Sequence, residues 1–85
     1  MGSYRLVIKP SAAKELSSIP KRDLERVVEK IRSLSVEPRT HGCQKLSGEE
    51  RYRIRQGDYR VVYEIDDGER LVTVVKVGNR REVYR

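Results

Sequence analysis

Cysteine occurs once in the 85-residue sequence, as Cys43, and a single cysteine excludes a disulfide bond within the chain. Histidine also occurs once, as His41, so the two residues supply too few ligands for a structural zinc site. No signal peptide and no apolar run long enough to span a bilayer is present, which predicts a cytoplasmic protein with no membrane partner. Repeats and low-complexity segments are lacking too, and the length suits one domain over residues 1–85.

Acidic residues are also scarce relative to basic ones. Nineteen Lys and Arg against thirteen Asp and Glu give a formal net charge of +6. A small domain this basic often binds a polyanion, and nucleic acid is the first candidate when the basic residues cluster. Charged residues make up 38% of the chain, yet the apolar residues fall in periodic runs, which indicates a folded domain.

Hydrophobic periodicity predicts a strand and two helices in the first part of the chain. The strand covers residues 4–9, and a short helix follows with Ser11 as its N-cap. A longer helix over residues 21–35 carries one apolar stripe, formed by Leu24, Val27, Val28, Ile31 and Leu34. The connector after it has weak strand potential at residues 44–46.

From residue 51 onward, polar and apolar residues alternate, which predicts a three-strand meander. Two-residue turns are expected at Gly57-Asp58 and at Asp67-Gly68. The predicted fold class is therefore α+β, with an N-terminal strand and two helices packed on one face of an antiparallel β-sheet.

The turn at Gly57-Asp58 determines which hairpin residues share a face of the sheet. It pairs Arg55 with Arg60 and Arg53 with Val62, and cross-strand partners share a face. The opposite, apolar face then holds Tyr52, Ile54, Val61 and Tyr63. We interpret the three arginines as a phosphate-binding groove, because converging like charges without an acid need a compensating ligand. A merely solvated face is the alternative.

The segments "KLSG", "GDYRVVY" and "VGNRREVY" resemble the RelE/ParE superfamily of bacterial and archaeal toxins. The resemblance covers essentially the whole chain, and the terminal "R..VY" favours the RelE branch. It implies a RelE-like fold and the toxin of a type II toxin-antitoxin system. The implied activity is ribosome-dependent cleavage of messenger RNA, which inhibits translation and needs no metal or other cofactor.

The resemblance also implies partners for the chain, namely the ribosome, messenger RNA and a cognate RelB-like antitoxin. We expect the antitoxin to present an acidic, partly disordered segment, because a cluster of arginines requires masking in the cell. The toxin alone is expected to be a monomer, and a higher-order complex is expected with the antitoxin.

Matching residue by residue, the resemblance implies five catalytic positions: Arg53, Arg55, Arg60, Arg80 and Tyr84. RNA contacts are expected at Lys45, Arg53, Arg55, Arg60 and Arg81. Tyr84 is the expected general base, its pKa lowered by neighbouring guanidinium groups. Well-known members have lysine at the positions of Arg53 and Arg55; because arginine stays protonated, the general acid is unassigned.

Two other functions stay open on the sequence alone. One is a ParE-like inhibitor of DNA gyrase without nuclease activity, against which the terminal "RREVYR" argues; the other is an inactive RNA-binding domain. His41 is a further acid-base candidate, but its place in a connector away from the arginine hairpin favours a surface or structural role. Cys43 is expected to be a small packing residue.

Overall fold

The structure is a computed structural model, and it describes residues 3–46 and 50–79. Its elements are β1 (Arg5–Ile8), α1 (Pro10–Ser17), α2 (Lys21–Ser33), β2 (Gln44–Lys45), β3 (Arg51–Gln56), β4 (Tyr59–Asp66) and β5 (Leu71–Asn79). The strands form one sheet in the order β1-β5-β4-β3-β2, and the helices pack on it, which confirms the α+β prediction. No helix in the described part of the chain is both long and apolar enough to cross a bilayer.

The sheet is mixed rather than wholly antiparallel. Strands β2 to β5 pair in the antiparallel sense, whereas β1 joins the outer edge of β5 in parallel. The helix α1 also begins two residues earlier than expected, at Pro10, so its N-cap is Lys9 and not Ser11. Proline suits the first helical position, because its φ is already helical and its missing N–H would find no partner there.

The apolar stripe of α2 meets the predicted apolar face of the hairpin. Val27, Ile31 and Leu34 are at most 1% exposed, and they belong to one core cluster with the hairpin residues Tyr52, Ile54, Val61 and Tyr63. The Tyr63 hydroxyl donates a hydrogen bond of 2.6 Å to the carbonyl oxygen of Pro38. Burial raises the pKa of Tyr63, so this phenol remains a protonated donor.

The turn between β4 and β5 has four residues rather than the predicted two, since Asp66 pairs with Leu71. Two extra residues leave the alternation of β5 unchanged, because side chains in a strand change face with a period of two. Val72 and Val74 therefore still face the core, and both have 0% exposure.

A network of ion pairs joins the connector after α2 to the sheet. The Nη2 atom of Arg39 lies 2.8 Å from Oε1 of Glu50 and 2.9 Å from Oδ2 of Asp67, and its Nε donates to the Tyr52 hydroxyl at 3.0 Å. Glu50 also pairs with Lys45 at 3.0 Å. Hydrogen bonds from Lys45, Arg39 and Tyr52 lower the pKa of Glu50 to about 2, and hydrogen bonds from Arg39 and Tyr4 lower the pKa of Asp67.

We predict that Arg39→Gln destabilises the fold at neutral pH but not in strong acid. Lowered folded-state pKa values stabilise the fold above the unfolded values, about 4.5 for Glu50 and 3.8 for Asp67. That stabilisation is lost as the pH falls through the folded values, toward about 2 for Glu50. Urea midpoints of the wild type and the variant, measured from pH 7 down to roughly pH 2, should therefore converge.

The control for this prediction is Arg32→Gln, which changes an exposed arginine of α2. Its urea midpoint should stay close to that of the wild type at every pH, because exposed charges contribute little. A constant difference between wild type and Arg39→Gln across the whole pH range would contradict the prediction.

Candidate nucleic-acid interface

The β3–β4 hairpin has the predicted register: Arg55 pairs with Arg60, and Arg53 pairs with Val62. Gly57, the first residue of its two-residue turn, has a φ of 60°, a conformation that glycine adopts without steric cost and that a type II′ turn requires. Arg53, Arg55 and Arg60 therefore lie on the same side of the sheet, opposite the helices. We call this side of the hairpin the arginine face.

The Cα atoms of the three arginines lie close together on the sheet. Opposed residues of an antiparallel pair have Cα atoms about 5 Å apart, and residues two apart on one strand are separated by about 7 Å. Arg51 precedes them on the same side of β3, and Glu64 neutralises it, with Nη2 and Oε2 2.5 Å apart. Arg51, which is paired with an acid, therefore lies at the start of β3, and the residues of the arginine face lie nearer the turn.

The members of the arginine face differ in exposure, which the sequence pattern did not predict. Arg55 is exposed, Arg53 is partly buried and donates from Nη2 to the side-chain oxygen of Gln44, and Arg60 is only 3% exposed. Arg60 lies on the interior strand β4, between Arg55 and Gly78. It is therefore a fixed charge within the face, and a charge in such a position is less screened by solvent than an exposed one.

Lys45 is separated from the arginine face. It pairs across β2 and β3 with Tyr52, whose ring lies in the core, so Lys45 is on the helix side of the sheet. Its Nζ atom lies 3.0 Å from the carboxylate of Glu50, and this hydrogen bond raises the pKa of Lys45. The structure does not bring Lys45 together with the three arginines.

The expectation that His41 lies away from the hairpin is wrong. His41 and Lys30 line one pocket of about 340 Å³ at the outer edge of β3, together with Gly42, Gln44, Arg53, Ile54 and Arg55. The pairing of β2 with β3 brings the end of the connector beside the hairpin, and the weak strand potential at residues 44–46 was its only sequence signal. Cys43 is partly buried and packs against the core, as predicted.

The remaining candidate residues, Arg80, Arg81 and Tyr84, lie outside the described ranges 3–46 and 50–79. Their roles stay predictions. Of the expected site residues within those ranges, the structure brings Arg53, Arg55 and Arg60 together.

Comparisons with known proteins agree with the resemblance. The family model described as "ParE toxin of type II toxin-antitoxin system, parDE" matches residues 6–84. Toxin RelE of Mycobacterium tuberculosis is 35% identical over 92 residues, which cover 96% of this chain and 87% of that protein.

Two solved structures share the fold over nearly the full length. The toxin-antitoxin complex RelBE2 from Mycobacterium tuberculosis contains a chain with a TM-score of 0.81 and 32% identity, covering 92% of this chain and 99% of that one. The isolated RelE toxin of E. coli has a TM-score of 0.80 and 31% identity, covering 96% of this chain and 92% of that one.

We predict that Arg60→Ala destabilises the fold by about 1–3 kcal/mol, because truncating a buried side chain leaves a cavity and removes its interactions. Arg55→Ala, the matched change at the exposed cross-strand partner, should stay within about 0.5 kcal/mol of the wild type. Urea denaturation of both variants measures the two free energies of unfolding. Equal effects at the two positions would contradict the different exposure of these side chains.

Proposed function

The chain belongs to the RelE/ParE superfamily of toxins from type II toxin-antitoxin systems, and from this premise we propose that it is a ribosome-dependent messenger-RNA endonuclease that inhibits translation. The observation that carries the proposal is the arginine face, which combines three guanidinium-bearing residues on adjacent strands. Guanidinium groups bind phosphate oxygens through two parallel hydrogen bonds, so this surface suits a nucleic-acid backbone. The similarity to proteins named RelE supports cleavage as the activity.

In the proposed reaction, RNA supplies its own nucleophile. The 2′-oxygen attacks the adjacent phosphorus in line, its bond to phosphorus forms, and the bond from phosphorus to the 5′-oxygen breaks. The products are a 2′,3′-cyclic phosphate and a 5′-hydroxyl. The protein has to position the strand, accept the proton of the 2′-hydroxyl, stabilise the negative charge on the phosphorane and let the 5′-oxygen be protonated.

The arginines take the electrostatic part of this reaction. Fixed positive charges that face the phosphorane lower its energy, and they act most strongly where solvent is excluded. Arg60, at 3% exposure, is such a fixed charge, and we assign it to hold the scissile phosphate. Arg53 and Arg55 lie on the neighbouring β-strand, β3. We assign Arg53 to stabilise the phosphorane and Arg55 to position the RNA. By resemblance, Arg80 also stabilises the phosphorane.

The proton transfers need a different group, because arginine stays protonated at physiological pH. Tyr84 is the proposed base, in line with the catalytic tyrosine that the resemblance implies. A phenol ordinarily has a pKa of about 10, and nearby guanidinium groups favour its ionised form. Arg80 is a candidate proton donor to the leaving 5′-oxygen by resemblance alone. We therefore assign no residue as the general acid from the geometry.

We further propose that a RelB-like antitoxin restrains the chain in the cytoplasm. The similar RelBE2 structure is a toxin-antitoxin complex, which supports a partner of this class. The net charge of +6 and the arginine face favour an acidic, partly disordered segment, whose binding weakens as salt screens the charges. The toxin is then a monomer when released and part of a higher-order complex when restrained.

A second candidate function is inhibition of DNA gyrase. The description of the matching family model, which names ParE and parDE, favours it. A gyrase inhibitor acts by binding a protein and has no need of a phosphate-binding face, so the arginine face argues for the nuclease. A nuclease would cleave messenger RNA in the cell, whereas a gyrase inhibitor would damage DNA.

The experiment that separates them is induction of the chain followed by mapping of messenger-RNA 5′ ends, with ribosome assembly permitted or blocked. The nuclease produces cuts within translated codons only when ribosomes assemble. DNA damage without such cuts would identify a gyrase inhibitor. An absence of both, with RNA binding retained, would identify an inactive RNA-binding domain.

We predict that Tyr84→Phe lowers the cleavage rate by about two to four orders of magnitude, which is the range for loss of a general base. The substitution removes only a hydroxyl, so affinity for an uncleavable RNA should be unchanged. Single-turnover cleavage on programmed ribosomes gives the rate, and fluorescence anisotropy gives the affinity. Wild-type cleavage and full toxicity of Tyr84→Phe would remove the tyrosine from the mechanism.

A further inference from the structure

The pocket at the outer edge of β3 collects basic residues from three parts of the chain. Lys30 comes from α2, His41 from the connector, and Arg53 and Arg55 from β3. Its volume of about 340 Å³ lies at the small end of the range for ligand pockets, about 300–1,000 Å³. We call it the edge pocket.

The fold leaves this part of the sheet edge open. Strand β2 pairs with Tyr52 and Arg53 only, so it ends before Arg55, and the connector residues His41 and Gly42 form the outer wall. Lys30 precedes the buried Ile31 on α2 and closes the pocket from the helix side. Lys30, Arg53 and Arg55 carry like charges around this pocket, and a bound anion lowers the energy of such an arrangement.

The basic surface continues beyond the edge pocket onto α2. A neighbouring pocket of about 570 Å³ is lined by Arg26, Glu29, Lys30, Ser33 and Gln56. Lys30 lines both pockets, so basic residues run from the arginine face, around the edge of β3, to Arg26. Among the described residues that line the two pockets, Glu29 is the acidic one, and it lines the second pocket.

We propose that the edge pocket binds a backbone phosphate of the same RNA strand that crosses the arginine face. This inference rests on the proposed function and adds a second phosphate site to it. Arg53 and Arg55 belong to both surfaces, so a strand held on the arginine face passes the mouth of the pocket. Lys30 and His41 are then positioning residues, since they hold the strand without touching the reacting atoms.

The lining favours a phosphate over a base or an apolar group. Among the described residues that line it, Ile54 is the one apolar side chain and four carry N–H donors on basic groups, so hydrogen-bond donors outnumber apolar surface there. Lysine, arginine and imidazole N–H groups all donate to phosphate oxygens, and such contacts fix the register of a strand without reading its sequence.

The test uses the full chain and a single-stranded 2′-O-methyl RNA hexanucleotide, which cannot be cleaved. His41 is the only histidine, so its imidazole C–H signals are unambiguous in NMR spectra. Titration should shift these signals and the amide signals of the β3–β4 hairpin with one common dissociation constant.

Lys30→Ala should weaken that binding by about two- to fivefold, the range for loss of one exposed ion pair. It should also reduce the salt slope by about 0.7.

The matched control is Lys14→Ala, which removes an equal charge from an exposed position on α1. That helix contacts β5, two strands away from β3, so the affinity should change by less than about twofold. An equal effect of Lys14→Ala and Lys30→Ala would show that net charge, rather than the edge pocket, governs binding and would overturn the inference.

Two other outcomes separate the inference from the proposed function. Shifts at the hairpin without shifts at His41 would overturn the edge pocket and leave the arginine face as the RNA site. Unchanged hexanucleotide binding by Lys30→Ala, with weakened binding to ribosomes, would assign the pocket to ribosomal RNA and overturn the inference as stated. Shifts at neither place, with no messenger cleavage in cells, would remove the proposed function as well.

Discussion

The two-residue turn at Gly57-Asp58 is the constraint on which both the core and the candidate site depend. Because side chains alternate along a strand, this turn sends Tyr52, Ile54, Val61 and Tyr63 inward and the arginines outward together. A slip of one residue would turn the apolar set away from the helices and the arginines toward them. The burial that holds the register of the hairpin therefore also holds Arg53, Arg55 and Arg60 on one face.

Ion pairs and like charges occupy different parts of the sheet. Ion pairs of opposite charge lie near the connector, where Arg39 joins Glu50 and Asp67, and at the start of β3, where Glu64 neutralises Arg51. Like charges lie toward the turn of the hairpin. An anion that relieves their repulsion stabilises the folded chain, and both proposed partners, RNA and an acidic antitoxin segment, provide one. We expect RNA and the antitoxin to exclude one another, because both are proposed to bind the arginine face.

The sequence predicted those features that depend on local period and turn chemistry. The stripe of α2 and the register of β3 and β4 followed from spacing alone. The four-residue turn before Leu71, the parallel pairing of β1 and the position of His41 depend on how distant segments meet, which periodicity does not encode. The burial of Arg60 was not predicted either. Alternation indicates which face of the sheet a side chain lies on, but not how much of it is exposed.

The most direct test of the account is the salt dependence of affinity for the uncleavable RNA, compared between the wild type and the triple variant Arg53→Gln, Arg55→Gln, Arg60→Met. Methionine keeps much of the buried volume at position 60 while it removes the charge. Each contact to a single-strand phosphate contributes about 0.7 to the slope of log K against log salt, so the two slopes should differ by about 2. Equal slopes would show that RNA is bound elsewhere and would contradict the assignment of the arginine face.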